Sequence, residues 1–388
     1  MTVVGIGSLE GKVLDKDLHA PNGRMILAKD TLVTARHVEV FLSWGIVEGS
    51  VYGDSHDRED VDDLDGHPPS PILSLWKAGW GKRWISRRAR SIPEKLFPSS
   101  CPELSQGDLL PIESLLYLEP GLASYSPVLQ EIIDVIESPF SSAVHVAEVV
   151  ARDSALSARL LKLVNSPIYG FPRTIKSIEQ AVSIVGSNDL MALVVQVSSI
   201  AYFRGISHKN LDMRSFWESS ISCALFARLL AFRRFRGDDS HFFVGGMLMN
   251  LGRLVMVQRM PEAFSIALYR ASRGASLLES EKSVFGYRSS DVTLSLFDRW
   301  FLPPDLARSI TEARSTRVND RKSTLFAVAE GLSVAVGSGF AGDYYAPPVS
   351  DEDLDFLGVT ENELDFIMCQ FNRQRAEIVD AFLGGIAS

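Results

Sequence analysis

The chain has 388 residues, 46% of them hydrophobic and 22% charged, the balance of a soluble globular protein long enough for two or three domains. A formal net charge of −9 argues against attraction of the whole surface to nucleic acid or anionic lipid, while leaving room for a local basic patch. The three cysteines, Cys101, Cys223 and Cys369, are isolated, so they point to neither a disulfide framework nor a thiolate zinc site, and a reduced cytoplasm is the expected compartment.

The first residues lack a basic stretch followed by an apolar one, so no secretion signal is expected. Over residues 1–54, Asn22-Gly23 is a turn signal between the short apolar runs Gly11–Leu14 and Met25–Ala28, which predicts a hairpin. Thr34 is set to cap a helix carrying Val38, Phe41 and Leu42, and Ile46–Tyr52 reads as a strand. These elements predict a small α+β module.

Residues 55–110 show no period. An acidic run, Glu59–Asp65, precedes three prolines and then a basic stretch from Lys77 to Lys95. Trp76, Trp80 and Trp84 are four apart and would share a helix face, although Gly79 and Gly81 weaken that helix. Two readings stand: a linker packing its indoles on a neighbour, or a patch of Trp80, Lys82, Arg83, Trp84, Arg87 and Arg88 for a polyanion or partner.

From Leu115 onward the pattern is helical. Expected helices begin at Pro127 and Ser142, and the run Leu190–Phe203, broken by Gln196, Ser198 and Ser199, is too polar for a bilayer span and reads as a core helix. Further helices are predicted at 214–236, 239–249, 262–273, 276–285, 289–300, 304–312, 320–336 and 361–382. Two central helices are the most sharply marked. Asp153 is an N-cap for one with Leu156, Leu160, Leu163 and Val164 on a single face, and it stops at Pro167. Ser177 and Gln180 form a capping box for the next, which ends at Gly186. The architecture predicted is mainly α, a multi-helical bundle behind the N-terminal module.

The stretch from Asp153 to Gly186, with its Asn165-Ser166 pair and Tyr169-Gly170 after the first helix, resembles the HDOD domain, a bacterial relative of the HD metal-dependent phosphohydrolases. The likeness runs from about Leu116 to about Ala313 and more weakly to near Val379. The N-terminal module is similar to a β-rich unit found ahead of some signalling HD-type domains. The resemblance divides the chain into 1–54, a linker or packing segment at 55–110, an HDOD domain at 111–314 and its helical extension at 315–388.

Hydrolytic HD proteins gather histidines and aspartates around divalent ions, which lower the pKa of a bound water and polarise a phosphoryl oxygen. Matched to that pattern, Ser219 stands where the first His belongs, Met249 and Asn250 replace the His-Asp pair, and Ser289 replaces a later His. Gly252-Arg253-Leu254 retains the Gly-Lys-Leu that follows the pair, and the segment Glu312–Arg314 also lacks a His. A thioether, an amide and two hydroxyls are poor ligands for hard divalent ions.

The resemblance therefore implies a non-catalytic signalling module with no cofactor and no membrane span. Its expected partner is a signalling protein or a small ligand, with a nucleotide second-messenger pathway one candidate. The interaction surface expected is the elbow of Asn165, Ser166, Tyr169 and Arg173, with the alternative that Asn165 only satisfies local backbone groups. An enzymatic alternative is a divergent phosphohydrolase using Glu279, Glu281, Asp291, Asp298 and His241. A third is nucleic-acid binding through the basic 77–95 segment.

Overall fold

A computed structural model describes residues 143–166, 174–232, 239–300, 304–314 and 320–384 continuously. It also describes shorter pieces: 2–5, 14–19, 25–27, 33, 48–51, 94–96, 98–101, 109–117, 131, 135, 169, 171, 234 and 235. The chain divides into two units, Met1–Pro69 and Ser70–Ser388.

In the first unit β1 (Thr2–Gly5) pairs antiparallel with β4 (Glu48–Val51), and β2 (Leu18–His19) pairs antiparallel with β3 (Met25–Leu27). Strand β3 pairs with Leu18–His19 and not with the expected run Gly11–Leu14, of which only Leu14 is described, and the predicted turn at Asn22-Gly23 lies outside the described residues. The expected helix from Thr34 lies outside the described residues, as does the whole Trp80–Arg88 patch.

The described part of the second unit is helical. Its helices are α1 (Ile112–Tyr117), α2 (Ala143–Ala151), α3 (Ser154–Val164), α4 (Ile178–Val185) and α5 (Ser187–Phe203). They continue as α6 (Met213–Ala231), α7 (Asp239–Leu248), α8 (Leu251–Arg259), α9 (Pro261–Ser272) and α10 (Leu277–Phe285). The last are α11 (Ser289–Arg299), α12 (Pro304–Glu312), α13 (Arg321–Val336), α14 (Asp351–Leu357) and α15 (Glu361–Leu383). No helix is long and apolar enough to cross a membrane among the described residues.

The caps follow the sequence. The Asp153 carboxylate accepts from the N–H groups of Ala155 and Leu156 at 3.0 and 2.9 Å, and the predicted face of Leu156, Leu160, Leu163 and Val164 is buried. Ser177 accepts from the Gln180 N–H, while the Gln180 amide reaches back one residue further than a standard box, to the Lys176 N–H. Gly186 closes α4 at φ 93°, a conformation in which a Cβ would be strained.

Helix α6 is the axis of the bundle, with α7, α13 and α15 packed along it. Thirteen of its residues, Phe216 to Ala231 with few gaps, are buried. Helix α15 closes one side through Phe371, stacked on Phe226 at 4.2 Å, and Phe382, stacked on Phe243 at 5.8 Å. Arg234, beyond the end of α6, ties it to the C-terminal helices. It pairs with Glu363 at 2.8 Å and donates to the carbonyls of Leu357 and Gly358.

Three helices were not singled out from the pattern, the first being the six-residue α1. Helix α8 is buried over Leu251–Val257 on all faces, so its apolar residues show no one-sided stripe. Helix α14 is only seven residues long and is set by a capping box of Ser350 and Asp353.

Candidate functional site

Three of the four positions singled out in the sequence, Met249, Asn250 and Ser289, meet around the break between α7 and α8, and Ser219 lies one helical turn from Cys223, which touches Met249. Met249 and Asn250 form that break, α11 brings Ser289, and α6 brings Ser219 one turn before Cys223. All four are buried, Met249 and Ser289 completely. The Met249 thioether packs on the Cys223 sulfur at 3.3 Å. Burial pushes the Cys223 thiol well above its ordinary range, with the nearby Glu330 carboxylate adding to the effect. The carbonyl of Met249 accepts from Thr293 Oγ1 at 3.3 Å and from Arg314 Nη1 at 3.2 Å. Thr293 Oγ1 also accepts from the Gly252 N–H and donates to Ser289 O, which sews α8 to α11.

Close approach makes that seam possible. A Cβ on Gly252 would sit 2.0 Å from the Ser289 carbonyl oxygen, so only glycine fits. On the other side Gly339, at φ 90°, lets the 338–343 loop lie against α6, where a Cβ would meet Ser215 O at 2.3 Å. The Phe340 N–H donates to that same carbonyl, and the loop delivers Ala341 and Asp343 to the site.

At the centre are two guanidinium groups. Arg314, 8% exposed, donates to Asn250 Oδ1 at 2.5 Å and pairs with Glu330 at 2.5 Å. Arg253, fully buried, pairs with Asp343, donates to Ala341 O at 3.1 Å, and lies 3.8 Å from Glu330 and 3.7 Å from Glu281. Ser289 donates to Glu281 through both its backbone N–H and its hydroxyl, each at 2.8 Å.

The charges respond to these neighbours. Burial alone would raise the Glu330 carboxyl and lower the Arg253 guanidinium. Instead Arg314 and Arg253 hold Glu330 below its usual range, and Asp343, Glu281 and Glu330 raise Arg253. Glu281 goes the other way: its burial outweighs Arg253 and the Ser289 bonds, and its pKa rises. Two guanidinium cations are thus balanced by Glu330 and Asp343, with Glu281 drawn toward its neutral form.

This donor set does not fit a divalent ion. Glu330 and Asp343 are already bound to fixed cations, Glu281 is occupied by Ser289, and a metal placed among them would meet two guanidinium charges. No group of three or more His, Cys, Asp or Glu residues suited to a metal occurs among the described residues. The alternative ligands are dispersed. Glu279 pairs with Arg288 on the surface, and the Asp291 carboxylate accepts from the Arg288 N–H at the start of α11. Asp298 is exposed, and His241 lies 3.9 Å from Asp189.

Arg253 and Arg314 were visible in the sequence only as residues that are not the expected lysine or histidine, and Glu330 and Asp343 were not singled out. A signal was present: Arg253 and Glu330 are charges of opposite sign flanked on both sides by apolar residues within their helices, and such charges are buried only when paired.

At the elbow, Asn165 is spent on structure. Its amide donates to Leu161 O and Ile175 O and accepts from the Ile175 N–H, each at 2.8 Å, which clamps the end of α3 to the segment before α4. The Ser166 hydroxyl donates to Leu163 O at 2.6 Å and is buried. Tyr169 stacks on Phe171 at 5.7 Å. Arg173 lies outside the described residues.

The described residues from Ile112 to Leu383 form an all-helical domain with a buried cluster of arginine–carboxylate pairs beside Met249 and Asn250. The profile of the HDOD domain matches residues 122–316, and the chain belongs to the HDOD family. Residues of this chain are 28% identical over 188 positions to an uncharacterized protein of Treponema pallidum (strain Nichols), covering 47% of this chain and 35% of that one. The chain thus spans about a third of the length of that curated relative. Its fold is similar to an HDOD domain protein with unknown function from Geobacter sulfurreducens, at 21% identity and a TM-score of 0.52 over 71% of this chain and 99% of that one.

Proposed function

We propose that this chain is a non-catalytic regulatory module that acts by binding a signalling protein or a small ligand. The observation that supports this most is the pairing of Arg314 with Glu330 and with Asn250, a residue that the sequence resemblance matches to the His-Asp pair of hydrolytic HD proteins. A guanidinium keeps its charge at any physiological pH and has no acceptor, so it can neither coordinate an ion nor activate a water. The helical framework is kept, and its ion chemistry is replaced by internal ion pairs.

The test is metal content and turnover on the full chain. After incubation with manganese, magnesium or zinc and exhaustive dialysis, elemental analysis is expected to find no stoichiometric metal. A generic phosphodiester and a cyclic dinucleotide are expected to survive incubation unchanged. Stoichiometric retained metal together with hydrolysis would overturn the reading.

A further inference from the structure

An imidazole ties the loop between α5 and α6 to α9. His208 Nε2 lies 3.2 Å from Pro261 O and 3.0 Å from Ser265 Oγ. A carbonyl oxygen only accepts, and the Ser265 hydroxyl already donates to that same Pro261 O at 3.0 Å. Nε2 therefore carries the hydrogen. In a neutral ring Nδ1 is then a bare lone pair, and it accepts from the Asn210 N–H at 3.2 Å. The Leu211 N–H donates to His208 O at 3.2 Å, which closes the 208–211 turn. Phe264 of α9 meets the ring edge to face, with centroids 6.4 Å apart.

These partners specify one tautomer of one protonation state. A proton added at Nδ1 would set an N–H against the Asn210 N–H, two donors with no acceptor between them. The ring is half-buried, so a proton reaches it from solvent without global unfolding.

Its surroundings already resist the added charge. Burial holds its pKa below the ordinary imidazole range, and Lys209 on its own loop adds to that. The Pro261 carbonyl and the Glu262 carboxylate, both at the start of α9, pull the other way. Lys95, Arg204, Asp212 and Arg214 line the small cavity beside the ring. Of these, Asp212 accepts from the Ser215 N–H at 2.8 Å and Arg214 pairs with Glu218 at 3.1 Å.

We propose that His208 is a proton-sensitive latch, in which protonation at Nδ1 breaks the Asn210 bond, frees the 208–211 turn and loosens the α5–α6 loop from α9. The loop runs through the Asp212 N-cap into α6, the axis of the bundle, so release acts at the end of the helix that carries Ser219 and Cys223. None of the latch bonds involves Arg253, Arg314, Glu281 or Glu330, so its failure would leave the non-catalytic reading standing.

The test is hydrogen exchange of the full chain against pH, read by mass spectrometry and corrected for intrinsic rates. The neutral ring holds the turn, and the hold is lost as pH falls toward the lowered folded value. Protection of peptides covering 207–211 is therefore expected to fall about tenfold per pH unit below about pH 6.5, with α13 the more protected segment throughout. His208→Gln keeps a donor near the Nε2 position and takes no proton, so its loop is expected to lack that slope. In the wild type, nitrogen NMR of labelled histidine is expected to show the Nε2–H tautomer near neutrality and a titration below that of free histidine. A flat wild-type profile, an equal slope in His208→Gln, exchange of the loop at the rate of α13, an Nδ1–H tautomer, or titration at or above the free value would overturn the proposal. The ring measurements need no variant, so they decide the matter even if His208→Gln does not fold.

Discussion

A single side chain decides the character of the site. Arg314 gives its charge to Glu330, a donor to Asn250 and another to the Met249 carbonyl, all out of water. Removing one member of such a buried pair leaves the other uncompensated, so Arg314→Met should lower unfolding free energy by about 3 kcal/mol or more in urea denaturation. Arg314→Met combined with Glu330→Met removes both charges and should recover more than half of that loss, the outcome expected when the penalty lies in the stranded carboxylate. Glu330 also carries a pH dependence. Its folded pKa is depressed, so its contribution is complete above the ordinary carboxylate range and is lost as pH falls through the folded value. Stability measured against pH should therefore fall on the acid side in the wild type. Glu330→Gln should be less stable near neutrality and fall less over the same acid interval.

At the scale of elements, the break between α7 and α8 is held by how closely α8 meets α11. Gly252 is the point of contact, with no room for a Cβ beside the Ser289 carbonyl, and its N–H is fixed by Thr293. Gly252→Ala should force the two helices apart and cost about 1–3 kcal/mol as overpacking, measured as a shift in the denaturation midpoint. An alanine there would raise helix propensity, so a gain in stability would contradict this account of the seam. The cap residues Asp153 and Ser177 did their work as read from the sequence, because a cap is a local hydrogen bond between residues two or three apart. The partner of the β3 strand and the helix at α8 were misread or missed for the opposite reason. Strand pairing is chosen by the partner, and a helix buried on every side has no periodic signature.

Across the whole helical unit, one apolar core runs from α2 to α15, and Cys223 sits at its centre beside the arginine cluster. Its thiolate is disfavoured by burial, and reagents reach it only if the core opens. Iodoacetamide should modify the exposed Cys101 and Cys369 in the native protein and reach Cys223 only at the rate of global unfolding, followed by mass spectrometry of the labelled peptides. Rapid native labelling of Cys223 would mean that the site is more open than its packing indicates.

Membership of the HDOD family and the helical class were both contained in the order of the residues. Each depends on which side chain occupies a position in a recognisable local pattern. The charge cluster beside Met249 and Asn250 was decided in three dimensions. Arg253, Arg314, Glu281, Glu330 and Asp343 span ninety positions of chain, and only the fold brings α8, α10, α13, the turn after α12 and the 338–343 loop within reach of one another. A charge in an apolar helix announces that it has a partner, but Coulomb attraction acts through space, and the chain's order does not say which partner that is.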